Sequence, residues 1–176
     1  MYPFLRFAKA VRQARRMPQI GMTDWHVTEH VCWPWDLDPF VELNNGRTLT
    51  LYDLGRFPLG IRTGFYAILR KKGWGLTVAG SSTRYRRRIR AFDRFTMRSR
   101  CIGWDGRFFY FEQSMWKSDD CASHVLIRMA MTGPKGIVAP ALAAEAMGVP
   151  VESPALPDWV EAWIAGDAMR PWPPER

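Results

Sequence analysis

Residues 36–47 have the sequence DLDPFVELNNGR and stand directly before an apolar run. Asn44 or Asn45 is a good N-cap for a helix that begins here, and Asp36 and Asp38 lie just upstream, within reach of its positive end. Such a helix start offers free backbone N–H groups that can polarise a carbonyl oxygen, and a carboxylate held beside it can attack that carbonyl or activate water. The alternative is that both acids only balance the helix dipole and cap a turn.

The elements around this stretch are predicted from periodicity and turn residues. The predicted strands cover residues 26–33, 75–89, 94–104, 107–117 and 121–132, with an Asp105-Gly106 hairpin turn in the middle. The predicted helices cover residues 46–57, stopped or kinked at Pro58, then 63–73 with Thr63 as its cap, 139–148 and 157–166. Four consecutive strands with an apolar face must be covered, and the long helices precede them. The order therefore predicts an α+β fold, with a curved antiparallel sheet wrapped around the 46–57 helix.

The third of these four strands is apolar on both of its faces. One face carries Phe109, Phe111 and Met115, and the other carries Phe108, Tyr110 and Trp116. A strand of this kind is covered on both sides. We expect the central helix on the inside and a subunit or a pocket on the outside.

Length and composition predict one compact domain with terminal additions. The chain has 176 residues, of which 47% are hydrophobic and 24% charged. Three segments are expected, namely a basic amphipathic helix over 1–20, the main domain over 21–150, and a helix with a Pro-rich tail over 151–176.

Charge and cysteine content bear on partners and on compartment. The formal net charge is +8, which favours anionic ligands. Cys32, Cys101 and Cys121 form no metal or redox spacing, and no apolar run approaches the ~20 residues that span a bilayer. These features predict unpaired thiols in the cytoplasm, with no bound metal and no cofactor.

The first helix is amphipathic and carries no acid. One predicted face carries Phe4, Phe7, Ala8 and Val11, and the other carries Arg6, Lys9, Gln13 and Arg16. It can dock on the domain, or it can make a weak contact with an anionic membrane surface through residues 1–16. The apolar face is short and an isolated helix of this length is marginal, so the docked arrangement is favoured.

The wider pattern DLDPFVELNNGRTLxxxDLGR resembles the motif of the hot-dog-fold acyl-CoA thioesterases, in the branch related to hydroxybenzoyl-CoA thioesterase. The matching residues are Asp36, Asp38, Asn44, Asn45, Arg47, Leu49, Asp53 and Arg56. The order of elements agrees as well, with one strand, a central helix and four strands. The resemblance covers roughly residues 24–148 and implies a hot-dog fold.

The resemblance also implies a set of site residues. Asp38 corresponds to the catalytic carboxylate and would act as nucleophile or as general base on water. The backbone N–H groups of Asn45 and Gly46 would contact the thioester oxygen. Where the family commonly has Gly-His, this chain has Val41-Glu42, so that Glu42 is either a second working carboxylate or a solvated loop acid.

The stretch STRYRRRIR, residues 82–90, is strongly basic. On a strand, Arg84, Arg86, Arg88 and Arg90 share one face and Arg87 takes the other. In a thioesterase Arg86, Arg87 and Arg88 could hold the phosphates of coenzyme A, because arginine forms forked hydrogen bonds to phosphate. The alternative is a solvated basic rim that discourages pairing of sheet edges.

The expected function is hydrolysis of an acyl-CoA or acyl-carrier thioester by a homodimer or homotetramer. One alternative is a non-catalytic hot-dog protein that binds acyl groups or coenzyme A, with Val41-Glu42 marking the lost activity. A nucleic-acid or membrane-surface binding module is a weaker alternative, because only Tyr85 interleaves with the arginines. We therefore expect no nucleic-acid partner.

Overall fold

The structure is a computed structural model that describes residues 2–175. The α-helices are α1 (Phe4–Ala14), α2 (Asn45–Arg62), α3 (Phe65–Lys72), α4 (Pro140–Met147) and α5 (Asp158–Ala168). The strands are β1 (His26–Val31), β2 (Gly75–Tyr85), β3 (Arg94–Trp104), β4 (Phe108–Lys117), β5 (Asp120–Gly133) and β6 (Gly136–Val138). A short 3-10 helix, Pro34–Asp36, precedes α2.

The strands form one antiparallel sheet in the order β1-β3-β4-β5-β2, and β6 pairs with the end of β5. The sheet curls around α2, which confirms the predicted α+β, hot-dog architecture. The hairpin between β3 and β4 is confirmed, but three residues, Asp105, Gly106 and Arg107, connect the strands, and neither Asp105 nor Gly106 has the positive φ of a two-residue type I′ turn. The strand β6 was not predicted, because three residues carry too little periodicity.

Helix α2 approaches the sheet closely at Gly55. A Cβ atom at this position would lie 2.6 Å from Sδ of Met97 on β3, so no larger residue fits without displacement. The buried amide of Gln113 on β4 donates to the carbonyl of Tyr52 at 2.8 Å and accepts from Nη1 of Arg56 at 2.8 Å. These bonds fix the helix against the concave face of the sheet and thereby fix where its first turn lies.

Two boundary predictions in this region were wrong. Helix α2 does not stop at Pro58 but continues to Arg62, and Pro58 is buried within it. Tertiary packing of the neighbouring buried residues Leu54 and Leu59 outweighs the loss of one backbone hydrogen bond. Thr63 ends α2 instead of capping the next helix, and Gly64, with φ of 76°, precedes α3.

The outer face of β4 is covered by the chain itself, which corrects the expectation of a subunit or pocket there. Tyr110 on β4 and Leu126 on β5 are buried against Val160 of α5. The inner face of β4 carries Phe109, Phe111 and Met115 into the main core, as predicted.

Helix α1 docks on α2, which is the favoured arrangement. The rings of Phe7 and Phe57 meet edge to face with centroids 5.0 Å apart, and Ala14 is buried. The predicted apolar face is only partly used, however, because Phe4 and Ala8 remain exposed. Among the described residues, no helix is long and apolar enough to cross a membrane.

Candidate active site

A tight loop before α2 holds Asp38 in place. The N–H of Phe40 donates to Oδ1 of the Asp38 side chain at 2.8 Å. Two backbone hydrogen bonds close the loop: the N–H of Asp38 donates to the carbonyl of Glu42 at 2.9 Å, and the N–H of Val41 donates to the carbonyl of Asp38 at 3.0 Å. The side chain of Asp38 is half-buried. Its Oδ2 accepts no hydrogen bond from residues 2–175. One oxygen of the carboxylate is thus anchored while the other is available to a ligand.

The first turn of α2 begins where this loop ends. Asn44, one of the two predicted candidates, is its N-cap, and Oδ1 of Asn44 accepts from the N–H of Arg47 at 2.9 Å. The N–H of Gly46 donates to Oδ1 of Asn45 at 2.7 Å, whereas within the described chain the N–H of Asn45 donates to no acceptor. The N–H of Asn45 is therefore ready to meet a carbonyl oxygen, whereas that of Gly46 is engaged by the Asn45 side chain.

A cleft of about 580 Å³ opens beside this loop. Six of the seven residues predicted from the sequence for the site line it, namely Asp38, Glu42, Asn45, Arg86, Arg87 and Arg88. Gly46 does not line the cleft. The structure thus brings the acid, the helix start and the arginines to one place, although 40 residues separate Asn45 from Tyr85 at the edge of the arginine stretch.

The arginines reach the cleft by leaving the sheet, which corrects the prediction of a strand over 75–89. Strand β2 ends at Tyr85, and the N–H groups of Arg86 and Arg87 both donate to the carbonyl of Ala122, at 2.8 and 3.1 Å. Ile89 is buried, and its carbonyl accepts from the N–H of Leu43 at 2.8 Å. The predicted alternation of Arg84, Arg86, Arg88 and Arg90 on one face therefore stops at the end of the strand.

Two of the arginines already face acids. Nε of Arg88 lies 2.9 Å from Oε2 of Glu42, although the N–H is not aligned for a hydrogen bond. Nε of Arg87 lies 3.6 Å from Oδ1 of Asp120, with both side chains largely exposed. Exposed ion pairs are weak, so Arg87 can exchange Asp120 for a phosphate of a ligand.

Several lining residues were not predicted from the sequence. Tyr85 lines the cleft, and its hydroxyl donates to the carbonyl of Asn45 at 3.2 Å. Thr48 and Ser123 line it as well, and Oγ of Ser123 shares a 2.8 Å hydrogen bond with the hydroxyl of Tyr52. Only Tyr85 carried a signal, as the single aromatic among the arginines. The others lie on different elements and become neighbours only through packing.

Comparison with known protein families shows to which family this chain belongs. A model of the thioesterase-like superfamily matches residues 32–164, which include the loop, α2 and the arginine stretch. The chain belongs to the thioesterase-like superfamily. A related protein, Protein THEM6 from Xenopus laevis, is 33% identical over 166 residues, covering 92% of this chain and 78% of the frog protein. The match to this superfamily confirms the family resemblance.

Solved structures support the same fold at low sequence identity. DHNA-CoA thioesterase from Staphylococcus aureus aligns with a TM-score of 0.60 and 15% identity, covering 82% of this chain and 92% of that one. A hypothetical protein from the same organism, solved in complex with CoA, aligns with a TM-score of 0.63 and 11% identity, covering 81% and 95% of the two chains. At these identities the likeness establishes the hot-dog fold and nothing about chemistry.

The thioesterase-like domain also contains a buried acid next to the cleft. Asp36 is fully buried, with Oδ2 at 2.6 Å from Nη1 of Arg6 and Oδ1 at 2.7 Å from Nε of Arg47. Asp36 does not line the cleft, although the sequence places it, like Asp38, just upstream of the helix. Asp36 instead joins α1 to the first turn of α2.

Other chemistry-bearing side chains lie outside the cleft. Nε2 of His124 donates to Oε1 of Glu112 at 2.9 Å, and Nδ1 of His26 lies 2.9 Å from Nη1 of Arg62. Within residues 2–175, no group of three or more His, Cys, Asp or Glu side chains is arranged to hold a metal ion. Cys32, Cys101 and Cys121 are free thiols.

Proposed function

We propose that this protein hydrolyses the thioester of an acyl-CoA or acyl-carrier substrate in the cleft at the start of α2. The observation that carries the proposal is the convergence of Asp38, the free N–H of Asn45 and the three arginines on one cleft. Each feature alone is common on protein surfaces. Together they supply the three things that thioester hydrolysis requires: a nucleophile or base, a donor for the developing oxyanion, and contacts for the carrier.

The chemistry has two routes that share one geometry. In the first, the free oxygen of Asp38 attacks the thioester carbonyl, the C–S bond breaks to release the thiolate, and water then hydrolyses the mixed anhydride. In the second, Asp38 takes a proton from a water molecule as the water oxygen attacks the carbonyl, and the C–S bond then breaks to release the thiolate and the free acid. In both, the N–H of Asn45 stabilises the negative oxygen at the positive end of α2.

The ion pair between Glu42 and Arg88 gives Glu42 a positioning role in this proposal. Arg88 partly neutralises Glu42, which reduces repulsion between that carboxylate and both Asp38 and the phosphates of a substrate. Arg86, Arg87 and Arg88 are exposed on the rim of the cleft, where they can contact the phosphates of coenzyme A. The same ion pair favours a second candidate function. Because Arg88 occupies Glu42, Glu42 does not serve as a second catalytic acid, and the protein would then bind acyl groups or coenzyme A without hydrolysing a thioester.

We also propose a cytoplasmic homodimer or homotetramer. The free thiols of Cys32, Cys101 and Cys121 support a reducing compartment. The edge strands β1 and β2 expose Val27 and Val78, which a second copy could cover. Analytical ultracentrifugation of the full chain tests this directly, and a monomer at micromolar concentration would refute the oligomer.

The deciding experiment measures thiol release from short aliphatic, long aliphatic and aryl acyl-CoAs by wild type and by Asp38→Asn. We expect wild type to turn over at least one substrate and the variant to lose about 100-fold or more in kcat, because the nucleophile or base is removed. Asp119→Asn, at an exposed acid outside the cleft, is the matched control and should keep full activity.

Circular dichroism spectra would show that the fold survives in each variant. Unchanged activity in Asp38→Asn would refute the role of Asp38 and move attention to Glu42→Gln. Binding of acyl-CoA by wild type without turnover would instead support the binding protein.

A further inference from the structure

A second cavity lies on the other side of the start of α2. It has a volume of about 1110 Å³ and is bordered by the first residues of α1 and by the turn around Pro34–Asp36. Its apolar lining consists of Tyr2, Pro3, Phe4, Leu5, Trp33 and Trp35, together with Leu37. We call this cavity the N-terminal groove. It takes no part in the mechanism proposed above.

The large apolar side chains of the N-terminal groove are unusually exposed. Leu5 is 89% exposed, Phe4 70% and Trp35 68%, and the ring of Trp35 stacks on that of Trp33 with centroids 5.3 Å apart. A single exposed apolar side chain requires no explanation. Several of them around one concave surface indicate a site for an apolar ligand or partner.

The N-terminal groove is held open by buried charges. Asp36 pairs with Arg6 of α1 and with Arg47 of α2, and Nη2 of Arg6 also donates to the carbonyl of Val31 at 3.1 Å. The N–H of Trp33 donates to Oδ2 of Asp36 at 3.1 Å. Both walls are therefore fixed to the same carboxylate, so the groove exists before any ligand arrives.

The N-terminal groove adjoins the cleft at one residue. Asn44 lines both cavities, and it is also the N-cap of the helix whose first free N–H faces the proposed thioester. A substrate with its phosphates at the arginines and its carbonyl at Asn45 can therefore direct its acyl chain past Asn44. That path leads between the stacked tryptophans and the side chains of Phe4 and Leu5.

One wall of the N-terminal groove lies outside the family match. The match to the thioesterase-like superfamily begins at residue 32, whereas Tyr2, Pro3, Phe4 and Leu5 precede it. The wall is thus an addition to the matched domain, at a position where it can select among substrates without altering the reacting groups.

We propose that the N-terminal groove is the subsite for the acyl chain and that it selects thioesters with medium or long aliphatic chains. This proposal rests on the proposed thioesterase function and names its substrate class. The tail of such a substrate would cover Trp35, Phe4 and Leu5 and remove their apolar surface from water. Short acyl groups would occupy the cleft but would not reach these side chains.

The test measures binding of dodecanoyl-CoA, acetyl-CoA and free dodecanoate by isothermal titration calorimetry. The full chain is used in the Asp38→Asn background to prevent turnover, with and without Trp35→Ala. Trp172→Ala, which removes an equally large and exposed tryptophan far along the chain, is the matched control. We expect Trp35→Ala to weaken dodecanoyl-CoA and dodecanoate binding about tenfold and to leave acetyl-CoA binding unchanged.

The outcomes separate this proposal from the one on which it rests. If dodecanoyl-CoA binds no more tightly than acetyl-CoA, or if Trp35→Ala and Trp172→Ala have equal effects on dodecanoyl-CoA binding, the acyl subsite is refuted while the thioesterase function stands. If neither CoA compound binds but dodecanoate binding still depends on Trp35, the subsite survives and the proposed function fails for coenzyme A thioesters.

A membrane surface is the competing occupant, because basic residues of α1 flank the N-terminal groove. Cosedimentation with vesicles of phosphatidylglycerol and phosphatidylcholine distinguishes the two. Vesicle binding that Trp35→Ala abolishes, combined with no preference for dodecanoyl-CoA over acetyl-CoA, would assign these side chains to the membrane and overturn the proposal.

Discussion

Nε of Arg47 lies 2.7 Å from Oδ1 of Asp36, a carboxylate with no solvent exposure. The other oxygen of Asp36 meets Arg6, so two arginines on different helices share one buried acid. Asp38, only two residues further along, points its carboxylate into a cleft instead. The Asp-x-Asp pair thus divides into one acid that is buried between two helices and one that lines the cleft.

The first prediction concerns Asp36→Asn. The substitution removes the buried negative charge that Arg6 and Arg47 share, which should lower the free energy of unfolding by about 3 kcal/mol. Urea unfolding followed by circular dichroism measures the change. Asp119→Asn should stay within about 0.5 kcal/mol of wild type. A loss no greater than that of Asp119→Asn would show that the buried pair contributes little.

The second prediction concerns Arg87→Ala at the rim of the cleft. It should raise KM for an acyl-CoA roughly fivefold with little change in kcat, because an exposed charge contact to phosphate contributes about 1 kcal/mol. The same acyl group on N-acetylcysteamine carries no phosphate, and its KM should not change. Arg70→Ala, at an exposed arginine of α3, serves as the control. Equal effects on both thioesters would argue against phosphate binding by Arg87.

The third prediction concerns the backbone at Val41, whose φ is 62°. This left-handed conformation is unfavourable for a β-branched residue and easily adopted by glycine. It explains why the related motif has glycine at this place. Val41→Gly should therefore raise the free energy of unfolding by about 1 kcal/mol.

Val27→Gly tests the alternative that glycine stabilises this chain generally. Val27 lies in strand β1, where glycine should instead lower the free energy of unfolding by about 1 kcal/mol. Urea unfolding of the two variants in parallel gives the comparison. Destabilisation by Val41→Gly would show that the loop does not hold this residue under strain.

The fourth prediction concerns pH and His26. Burial, followed by the charge of Arg62, lowers the pKa of His26 from 6.5 to about 4. Arg62 can only donate, so Nδ1 of His26 accepts its hydrogen bond and must lose it on protonation. Between pH 6.5 and 4 the unfolded chain binds the proton and the folded chain does not. The free energy of unfolding should therefore fall by up to ~3 kcal/mol as the pH falls through that window.

His26→Gln removes this titration while keeping an acceptor for Arg62. The variant should show a flatter dependence of unfolding free energy on pH between 6.5 and 4, measured by urea unfolding at several pH values. His30, whose pKa burial and the nearby charge of Arg6 also lower to about 4, retains its own share of the slope. A pH dependence identical to wild type would exclude His26 as a source.

Much of the architecture could be predicted from local patterns, and the failures have specific causes. The start of α2 and the hairpin between β3 and β4 depend on neighbouring residues alone, so the sequence is sufficient for them. The continuation of α2 through Pro58 depends on contacts with the sheet. The exit of the chain from the sheet after Tyr85 depends on the carbonyl of Ala122, 37 residues further along.

The candidate site divides in the same way. Asp38, Asn45 and the arginine stretch could be named from the sequence, because a family motif and a dense charge cluster mark them. The buried position of Asp36, which pairs with Arg6 and Arg47 instead of lining the cleft, could not be named, because no local feature separates this acid from Asp38. That position depends on Arg6, which α1 brings to Asp36 from 30 residues away.

The sequence by itself determined the order of the elements, the start of the central helix and the residue types available to the site. These follow from side-chain periodicity and capping, which act over a few residues. Only the tertiary structure decided that Asp36 is a buried clamp, that the arginines line the cleft of Asp38, and that α1 builds a second groove beside it. Burial and charge pairing between distant segments exist only after the chain has packed, so no local pattern encodes them.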